Sequence, residues 1–249
     1  KAGSSVTFIS RKYAGNMIQH ITKKGFKVIE LQEPESVANN KSKNQQIIDD
    51  YKEWLGISEM QDAKDTIHAL KNSKPDLLIV DHYSLSEKWE NELRPHVKNI
   101  MVIDDLSNRN HDCDMLMDQN WFEDMESRYD GLVPTGCTKL LGPEYALLRP
   151  EFAEARKLLK QRNGKVERIF VFFGGYDPHN LTEMTLRALS EPELAHLNID
   201  VVIGENNIHR DEIQKMAESR AQTHIHVQVD DMAAIMAKAD LAIGSGGVN

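Results

Sequence analysis

Two glycine-rich turns in the second half of the sequence are the residues best suited to bind a ligand. Gly174-Gly175 follows the apolar run Val171–Phe173, and Ser245-Gly246-Gly247 follows Leu241–Ile243. A glycine turn after a strand brings backbone N–H groups close to an anion, and a helix that follows adds its positive end. The turns therefore predict a phosphate or nucleotide site. Neither matches the dinucleotide or P-loop spacing, so a tight turn that needs glycine only for its backbone is the alternative.

Polar side chains also follow two apolar runs in the first half of the sequence. Asp81-His82-Tyr83 comes after Leu77–Val80, and Asp104-Asp105 comes after Ile100–Ile103. A His or Tyr at such a place is a candidate acid, base or hydrogen-bond donor, and a capped strand end is the alternative. Paired carboxylates can bind a metal or transfer protons. With His111 nearby, they leave a metal-dependent hydrolase open, although no spacing here is diagnostic.

Two further segments are weaker candidates. Gly204-Glu205-Asn206-Asn207 follows a strand pattern and is a candidate for a loop that contacts a base, with a polar turn as the alternative. Asp177, Pro178 and Asn180 have the composition of a helix start and are candidates for caps only.

These residues must be positioned by strands and helices that alternate along the whole chain. Short continuous apolar runs are typical of parallel strands buried on both faces. Helical spacing predicts helices between them, including stretches near 46–55 and 60–72, one that begins at Pro150 and one capped by Asp231. The alternation predicts an α/β fold with parallel sheets, whose ligands bind at the carboxyl ends of the strands. A polar segment near 160–165 divides the predicted domains, 1–162 and 163–249.

Composition excludes several classes of protein. The 249 residues carry a net charge of −9, which argues against nucleic acid as a partner because that binding needs a basic face. No apolar run approaches the roughly 20 residues that span a bilayer, and no signal peptide opens the sequence, so we expect a cytoplasmic protein without a membrane partner. Cys113 and Cys137 match no zinc spacing and predict no disulfide framework. The oligomeric state is not determined by the sequence, and a monomer is the working expectation.

Taken in order, these segments resemble a family of pseudaminic acid biosynthesis enzymes, the hydrolases of UDP-2,4-diacetamido-2,4,6-trideoxy-β-L-altropyranose. The resemblance rests on Asp81-His82-Tyr83, Asp104-Asp105, Asp118-Gln119-Asn120, the stretch Leu141–Phe152 and the two glycine turns. It implies a glycosyltransferase-B-like fold of two Rossmann-like lobes with the nucleotide between them. It also implies release of UDP by attack of water at the anomeric carbon, without a metal or cofactor, before the sugar is used for flagellin or surface glycans.

The resemblance also implies roles for individual residues. Tyr83 and His82 would serve the reaction on the sugar side, with Asp81 shaping their loop. The UDP would be held by both glycine turns and by the loop after the next strand, through Gly174, Gly175, Gly204, Asn206, Ser245, Gly246 and Gly247. Asn120, Tyr145 and Leu147 would line the ligand site.

The sequence departs from the family at two places. Members open with a strand and a Gly-x-Gly-His-x-x-Arg loop, whose His is the general base, and carry a Glu-bearing helix after the second glycine turn. Neither segment is present. We therefore expect a chain that is truncated at both ends, is inactive as a hydrolase and exposes apolar surface at a strand edge. A glycosyltransferase of the same fold and a non-catalytic UDP-sugar-binding module stay open as alternatives.

Overall fold

The computed structural model describes residues 3–13, 15–33, 54–71, 73–159, 161–205 and 207–245. The chain divides into two compact units, Lys1–Ala146 and Leu147–Asn249, here called unit 1 and unit 2. Among the described residues, unit 1 contains two parallel sheets and unit 2 contains one, each with helices in the alternating order that the sequence predicts. The predicted α/β fold of two Rossmann-like units is therefore confirmed.

Unit 1 has two parallel sheets among its described residues. One sheet pairs β1 with β2, and the other has the order β3-β4-β5-β6. The strands are β1 (Thr7–Arg11), β2 (Lys27–Leu31), β3 (Leu78–Asp81), β4 (Ile100–Ile103), β5 (Met115–Asp118) and β6 (Thr138–Leu141). The helices are α1 (Ile18–Lys23), α2 (Glu59–Leu70) and α3 (Glu87–Leu93), with 3-10 turns at Arg94–His96 and Pro143–Tyr145.

The carboxylate of Asp62 on α2 connects the two-stranded sheet of unit 1 to α3. Its Oδ2 accepts a hydrogen bond of 2.7 Å from Arg11 at the end of β1. Its Oδ1 accepts one of 3.0 Å from the indole nitrogen of Trp89 on α3. Asp62 and Trp89 are both buried, so one carboxylate is shared by a strand of the small sheet and a helix of the core.

Unit 2 has one four-stranded parallel sheet of order β10-β7-β8-β9 among its described residues. The strands are β7 (Arg168–Phe172), β8 (Asn198–Ile203), β9 (Thr223–Val227) and β10 (Leu241–Gly244). The helices are α4 (Pro150–Lys157), α5 (Leu181–Ala188), α6 (Arg210–Ser219) and α7 (Met232–Lys238), with a 3-10 turn at Pro192–Leu194. β8 is almost wholly buried, as a central strand between two covering helix layers must be.

The helix that begins at Pro150 belongs to unit 2, although the predicted domain boundary lay after residue 162. Helix α4 packs against α7. After α4, the guanidinium of Arg162 donates hydrogen bonds of 2.8 and 3.2 Å to the carbonyl oxygen of Ala239. These contacts fix the polar segment that the sequence suggests as a linker onto the second unit, so the division falls before α4.

Most predicted elements agree with the structure within a few residues, and Asp231 caps α7 as predicted by accepting a hydrogen bond from Ala234 N. Strand β6 was not predicted. The helix predicted near 46–55 lies almost entirely outside the described residues. In the described part of the chain, no helix has the length and apolar character needed to cross a membrane.

Apolar side chains are exposed on strand edges of unit 1, as expected. Strand β3 lies at the edge of its sheet, and Ile79 in its middle is 55% exposed. On β1, Phe8 is also exposed. A side chain in the middle of a parallel strand is normally covered, so β1 and β3 carry exposed apolar surface. Among the described residues, β3 has a paired strand on one side only.

Candidate functional site

Glycines follow or end three strands of unit 2 at the carboxyl edge of the sheet. The N–H of Gly204, after β8, donates a hydrogen bond of 3.1 Å to the carbonyl oxygen of Gly175, after β7. A Cβ on Gly204 would lie 2.3 Å from that oxygen, and one on Gly244 would lie 2.3 Å from the carbonyl oxygen of Phe172. Gly174 has a φ of +87°, which favours glycine. Backbone packing therefore requires these glycines, and it leaves an edge without side chains that we call the glycine edge.

Asp177 reduces the number of backbone N–H groups that are available to an anion next to the glycine edge. Its buried carboxylate accepts hydrogen bonds of 3.0 Å from Leu181 N and 2.9 Å from Thr182 N, the first backbone donors of α5. The expected cap is thus present. These two donors are therefore already paired with a carboxylate, and the predicted binding of a phosphate at this turn stays a prediction.

Four buried polar atoms near the glycine edge have no hydrogen-bond partner among the described residues. They are Asn180 Oδ1, Thr182 Oγ1, Asn207 Nδ2 and His209 Nε2. The first two belong to the start of α5, after β7, and the other two precede α6, after β8. Because buried polar groups are almost always paired, these four atoms are candidates for contact with a ligand or an ordered water.

Sequence reasoning found only part of this group. The sequence suggests Asn180 as a cap and Asn207 as part of a base-contacting loop, but it does not single out Thr182 or His209. The signal available was a pair of polar residues at or just before each helix start, three to seven residues after a glycine that follows a strand. Ser245 follows β10 and is exposed, whereas Asn206, Gly246 and Gly247 lie outside the described residues.

In unit 1, His82 follows β3 and lies at the carboxyl edge of the larger sheet. Ser84 N–H donates a hydrogen bond of 3.1 Å to its Nδ1, so the proton of the neutral ring is on Nε2. Burial lowers the pKa of His82, and Arg109 lowers it further, while Asp62 and Asp81 act in the opposite direction. At neutral pH the ring is therefore an uncharged hydrogen-bond donor at Nε2.

The neighbours of His82 lie as the sequence suggests. Tyr83 is half-buried, with its ring centroid 5.9 Å from that of Trp54. Asp81 is exposed, yet partial desolvation raises the pKa of its carboxyl, and the nearby Asp105 carboxylate adds to that effect against the influence of His82. Carboxylate, imidazole and phenol thus share one sheet edge.

Asn120 is joined to Asp105 across the ends of β5 and β4. Its Nδ2 donates a hydrogen bond of 2.9 Å to Asp105 Oδ2, and its backbone N–H donates one of 3.1 Å to Asp118 Oδ1. Asp105 Oδ1 is buried and has no partner among the described residues. The amide of Asn120 is therefore held in one orientation, which suits the lining role predicted for it.

A buried network lies behind this edge. The hydroxyl of Tyr129 is 2.9 Å from the carbonyl oxygen of Asp104 and 3.0 Å from Asp118 Oδ2. Arg109 pairs with Asp104 at 2.7 Å, and Arg128 pairs with Asp118 at 3.2 Å. Burial raises the pKa of Asp118, although hydrogen bonds from Asn120 N, Tyr129 and Arg128 oppose that shift. These partners assign Asp104 and Asp118 to holding the loops in place.

The metal-dependent alternative has no geometric support in the described residues. His111 Nδ1 lies 2.7 Å from the buried carboxylate of Glu90, while Asp104 pairs with Arg109. Where the structure describes the chain, no three His, Cys, Asp or Glu side chains converge as metal ligands would. The acidic residues near His111 are engaged in ion pairs instead, as Arg94 with Asp112 and Asp114.

Tyr145 and Leu147 lie on either side of the division between the units. Tyr145 ends a 3-10 turn, and both side chains are exposed. Their proposed contact with a ligand stays a prediction.

A groove of about 920 Å³ in unit 2 lies away from the predicted residues. Its lining includes Ala155 on α4, Ala234 on α7, Glu167 before β7 and Asp240 before β10. It therefore opens at the amino ends of strands whose carboxyl ends carry the glycine edge, and none of the predicted site residues lines it.

Three curated proteins are similar in sequence to this chain. An uncharacterized protein of Methanocaldococcus jannaschii is 27% identical over 198 residues, covering 77% of this chain and 41% of that protein. The UDP-2,4-diacetamido-2,4,6-trideoxy-beta-L-altropyranose hydrolase of Campylobacter jejuni is 30% identical over 172 residues, covering 68% of this chain and 59% of that protein. The spore coat polysaccharide biosynthesis protein SpsG of Bacillus subtilis is 25% identical over 194 residues, covering 77% of this chain and 56% of that protein. The chain thus spans 41% to 59% of their lengths, and it is related to proteins of sugar-nucleotide and polysaccharide biosynthesis.

No protein-family model matches the chain. Among solved structures, MurG of Acinetobacter baumannii is similar with a TM-score of 0.46 and 12% identity over 96% of this chain and 72% of that one. The UDP-GlcNAc 2-epimerase of Neisseria meningitidis, bound to UDP-GlcNAc, is similar with a TM-score of 0.42 and 10% identity over 97% of this chain and 77% of that one. Both likenesses are weak.

Proposed function

We propose that this chain binds a UDP-linked sugar and carries most of the site of a hydrolase that releases UDP from it, as in pseudaminic acid biosynthesis. The observation that carries the proposal is the glycine edge flanked by four buried, unpartnered polar atoms of the described residues. Such an edge lets a ligand approach the backbone, and the polar atoms supply the hydrogen bonds that give specificity. The similarity to the Campylobacter jejuni hydrolase supports a UDP-sugar as that ligand.

The proposed roles follow the two sheet edges. The UDP contacts the glycine edge, with Asn180, Thr182, Asn207 and His209 as added hydrogen-bonding groups. Within unit 1, Tyr83, His82 and Asn120 are the side chains proposed to bind a sugar. In the hydrolysis, a water oxygen bonds to the anomeric carbon while the bond from that carbon to the phosphate oxygen breaks, and UDP leaves with the electron pair. His82, with its proton on Nε2, suits donation of a hydrogen bond to a sugar or leaving-group oxygen.

Removal of the proton from the attacking water needs a general base, which contributes roughly 10²–10⁴-fold to such rates. The 249 residues contain no Gly-x-Gly-His sequence, the expected source of that base. We therefore expect this polypeptide to bind UDP-sugars without steady turnover, as a binding module would.

Calorimetric titration with UDP and UDP-GlcNAc tests the binding. Thr182→Val removes the unpartnered hydroxyl at nearly constant volume, and Thr185→Val on the same helix is the matched control, since Thr185 is also buried. We expect Thr182→Val to weaken UDP binding about tenfold, as for loss of one buried hydrogen bond, and the control to leave it unchanged. A folded protein that binds neither UDP nor UDP-GlcNAc would refute the proposal. UDP release that rises with an added acceptor sugar would favour the glycosyltransferase instead.

A further inference from the structure

We propose that Cys113 and Cys137 form a redox modification site, in which oxidation joins the two thiols as an intramolecular disulfide. Their sulfur atoms lie 3.6 Å apart, and both are free cysteines. Cys113 is 2% exposed within the core of unit 1, while Cys137 is partly exposed. One thiol is therefore reachable from solvent, and the other lies directly behind it.

The backbone around the pair is fixed by the parallel strands that follow. Cys113 comes just before β5 and Cys137 just before β6, where Met115 is paired with Thr138. Thr138 N–H donates a hydrogen bond of 2.9 Å to the carbonyl oxygen of Asp114. By this register Cys137 lies opposite Asp114, one residue from Cys113, and the two sulfur atoms lie 3.6 Å apart. A disulfide holds its sulfur atoms about 2.05 Å apart, so closing the bond requires the two thiols to approach by about 1.5 Å.

The reaction balances with glutathione disulfide as the oxidant. The Cys137 thiolate attacks one sulfur of glutathione disulfide and displaces a glutathione thiolate. Cys113 then loses its proton and attacks the Cys137 sulfur of the mixed disulfide, so that a second glutathione leaves. Two electrons pass to glutathione disulfide, and the two protons from the cysteines end on the two glutathione thiols.

Burial raises the pKa of both thiols, and Cys137 adds to that effect on Cys113. Glu90 and Arg94 face Cys113, while Asp114 and Lys139 face Cys137. Because the thiolate is the attacking species, oxidation should be slow at neutral pH and faster in mildly alkaline buffer.

The disulfide would constrain a segment that contributes side chains to the carboxyl edge of the larger sheet in unit 1. The cysteines are 24 residues apart, and the chain between them contains Asp118, Asn120 and Tyr129. Joining both ends of this segment restricts the unfolded chain, which stabilises the folded state by about 3 kcal/mol. The oxidised protein should therefore melt several degrees above the reduced one.

The test uses the intact chain in glutathione redox buffers at pH 7 and pH 8.5, with intact mass and peptide mapping as readouts. We expect a Cys113–Cys137 disulfide with no retained glutathione, formed faster at pH 8.5. Cys113→Ser should instead retain one glutathione on Cys137, and Cys137→Ser should stay unmodified because Cys113 is buried. Persistent glutathione on Cys137 of the unaltered protein, or two thiols that stay reduced at both pH values, would overturn the proposal.

Discussion

The backbone nitrogen of Gly204 donates a hydrogen bond of 3.1 Å to the carbonyl oxygen of Gly175, and this contact ties the loop after β8 to the turn after β7. No side chain fits between the two backbones, because a Cβ on Gly204 would lie within 2.8 Å of three Gly175 atoms. The close approach explains why glycines occur after two neighbouring strands.

Substitution of Gly204 by Ala should therefore destabilise unit 2. The added methyl group overlaps backbone atoms that cannot move aside, so we expect a loss of about 1–3 kcal/mol in the free energy of unfolding. Urea denaturation followed by circular dichroism measures it. Gly136→Ala is the control, since a Cβ there meets nothing within 4 Å. Equal effects of the two substitutions would contradict the packing argument.

Asp177→Asn separates the capping role of this residue from its charge. Asparagine keeps one acceptor oxygen for the start of α5 but turns its NH2 group towards the other backbone N–H, so we expect a cost to stability of about 1–3 kcal/mol. Loss of the negative charge at the helix end should strengthen UDP binding about twofold to fivefold, if the pyrophosphate lies there. Calorimetry measures the affinity. Unchanged or weaker binding by the folded variant would place the pyrophosphate away from α5.

Asp200 should make stability depend on pH in the acid range. Burial alone would raise its pKa, but hydrogen bonds from His226 and Arg168 outweigh burial and lower it. A carboxyl with a depressed folded-state pKa stabilises the protein above its unfolded pKa of about 3.9. That contribution is lost as the pH falls through the folded pKa.

The comparison of the unaltered protein with Asp200→Asn isolates this contribution. The unaltered protein should be the more stable at pH 6, and the difference should shrink as the pH is lowered below about 4. Urea denaturation between pH 6 and pH 3 measures it. A difference that stays constant over this range would show that the Asp200 charge is not involved.

Ile79→Lys should reduce aggregation of the chain. Ile79 is exposed on the edge strand β3, and a lysine on an edge strand discourages pairing with other chains. Light scattering against protein concentration measures the effect. Met184→Lys on α5 removes an exposed apolar side chain away from any strand edge, so it should change scattering far less. A sharp melt of an already monomeric, unaltered sample would contradict the premise.

Helices and strands whose formation depends mainly on their own residues could be predicted from the sequence. Strand β4 was predicted because Ile100–Ile103 is a continuous apolar run, and β8 because its residues from Ile199 to Ile203 are apolar except for Asp200. The Asp231 cap was predicted because a capping side chain lies next to its helix. Strand β6 was missed because it starts with Thr138 and Lys139 and is only half-buried, which gives no apolar run.

Contacts between distant segments were not predictable in this way. The proximity of Cys113 and Cys137 follows from the pairing of β5 with β6, so missing β6 also concealed the thiol pair. The hydroxyl of Tyr129 reaches Asp104 and Asp118 only because the loop after β5 turns back under the sheet edge. Neither the period of the apolar residues nor local composition carries that information.

The shared carboxylate of Asp62 has a consequence for how unit 1 unfolds. A two-stranded sheet alone is marginally stable in water, so β1 and β2 depend on what anchors them. Because Asp62 binds Arg11 of β1 and Trp89 of α3 at once, opening of the small sheet also leaves a buried carboxylate without its cation. The penalty couples the small sheet to the core, so the amide protons of β1 should exchange with solvent as part of one cooperative unit with α2 and α3 rather than by separate fraying.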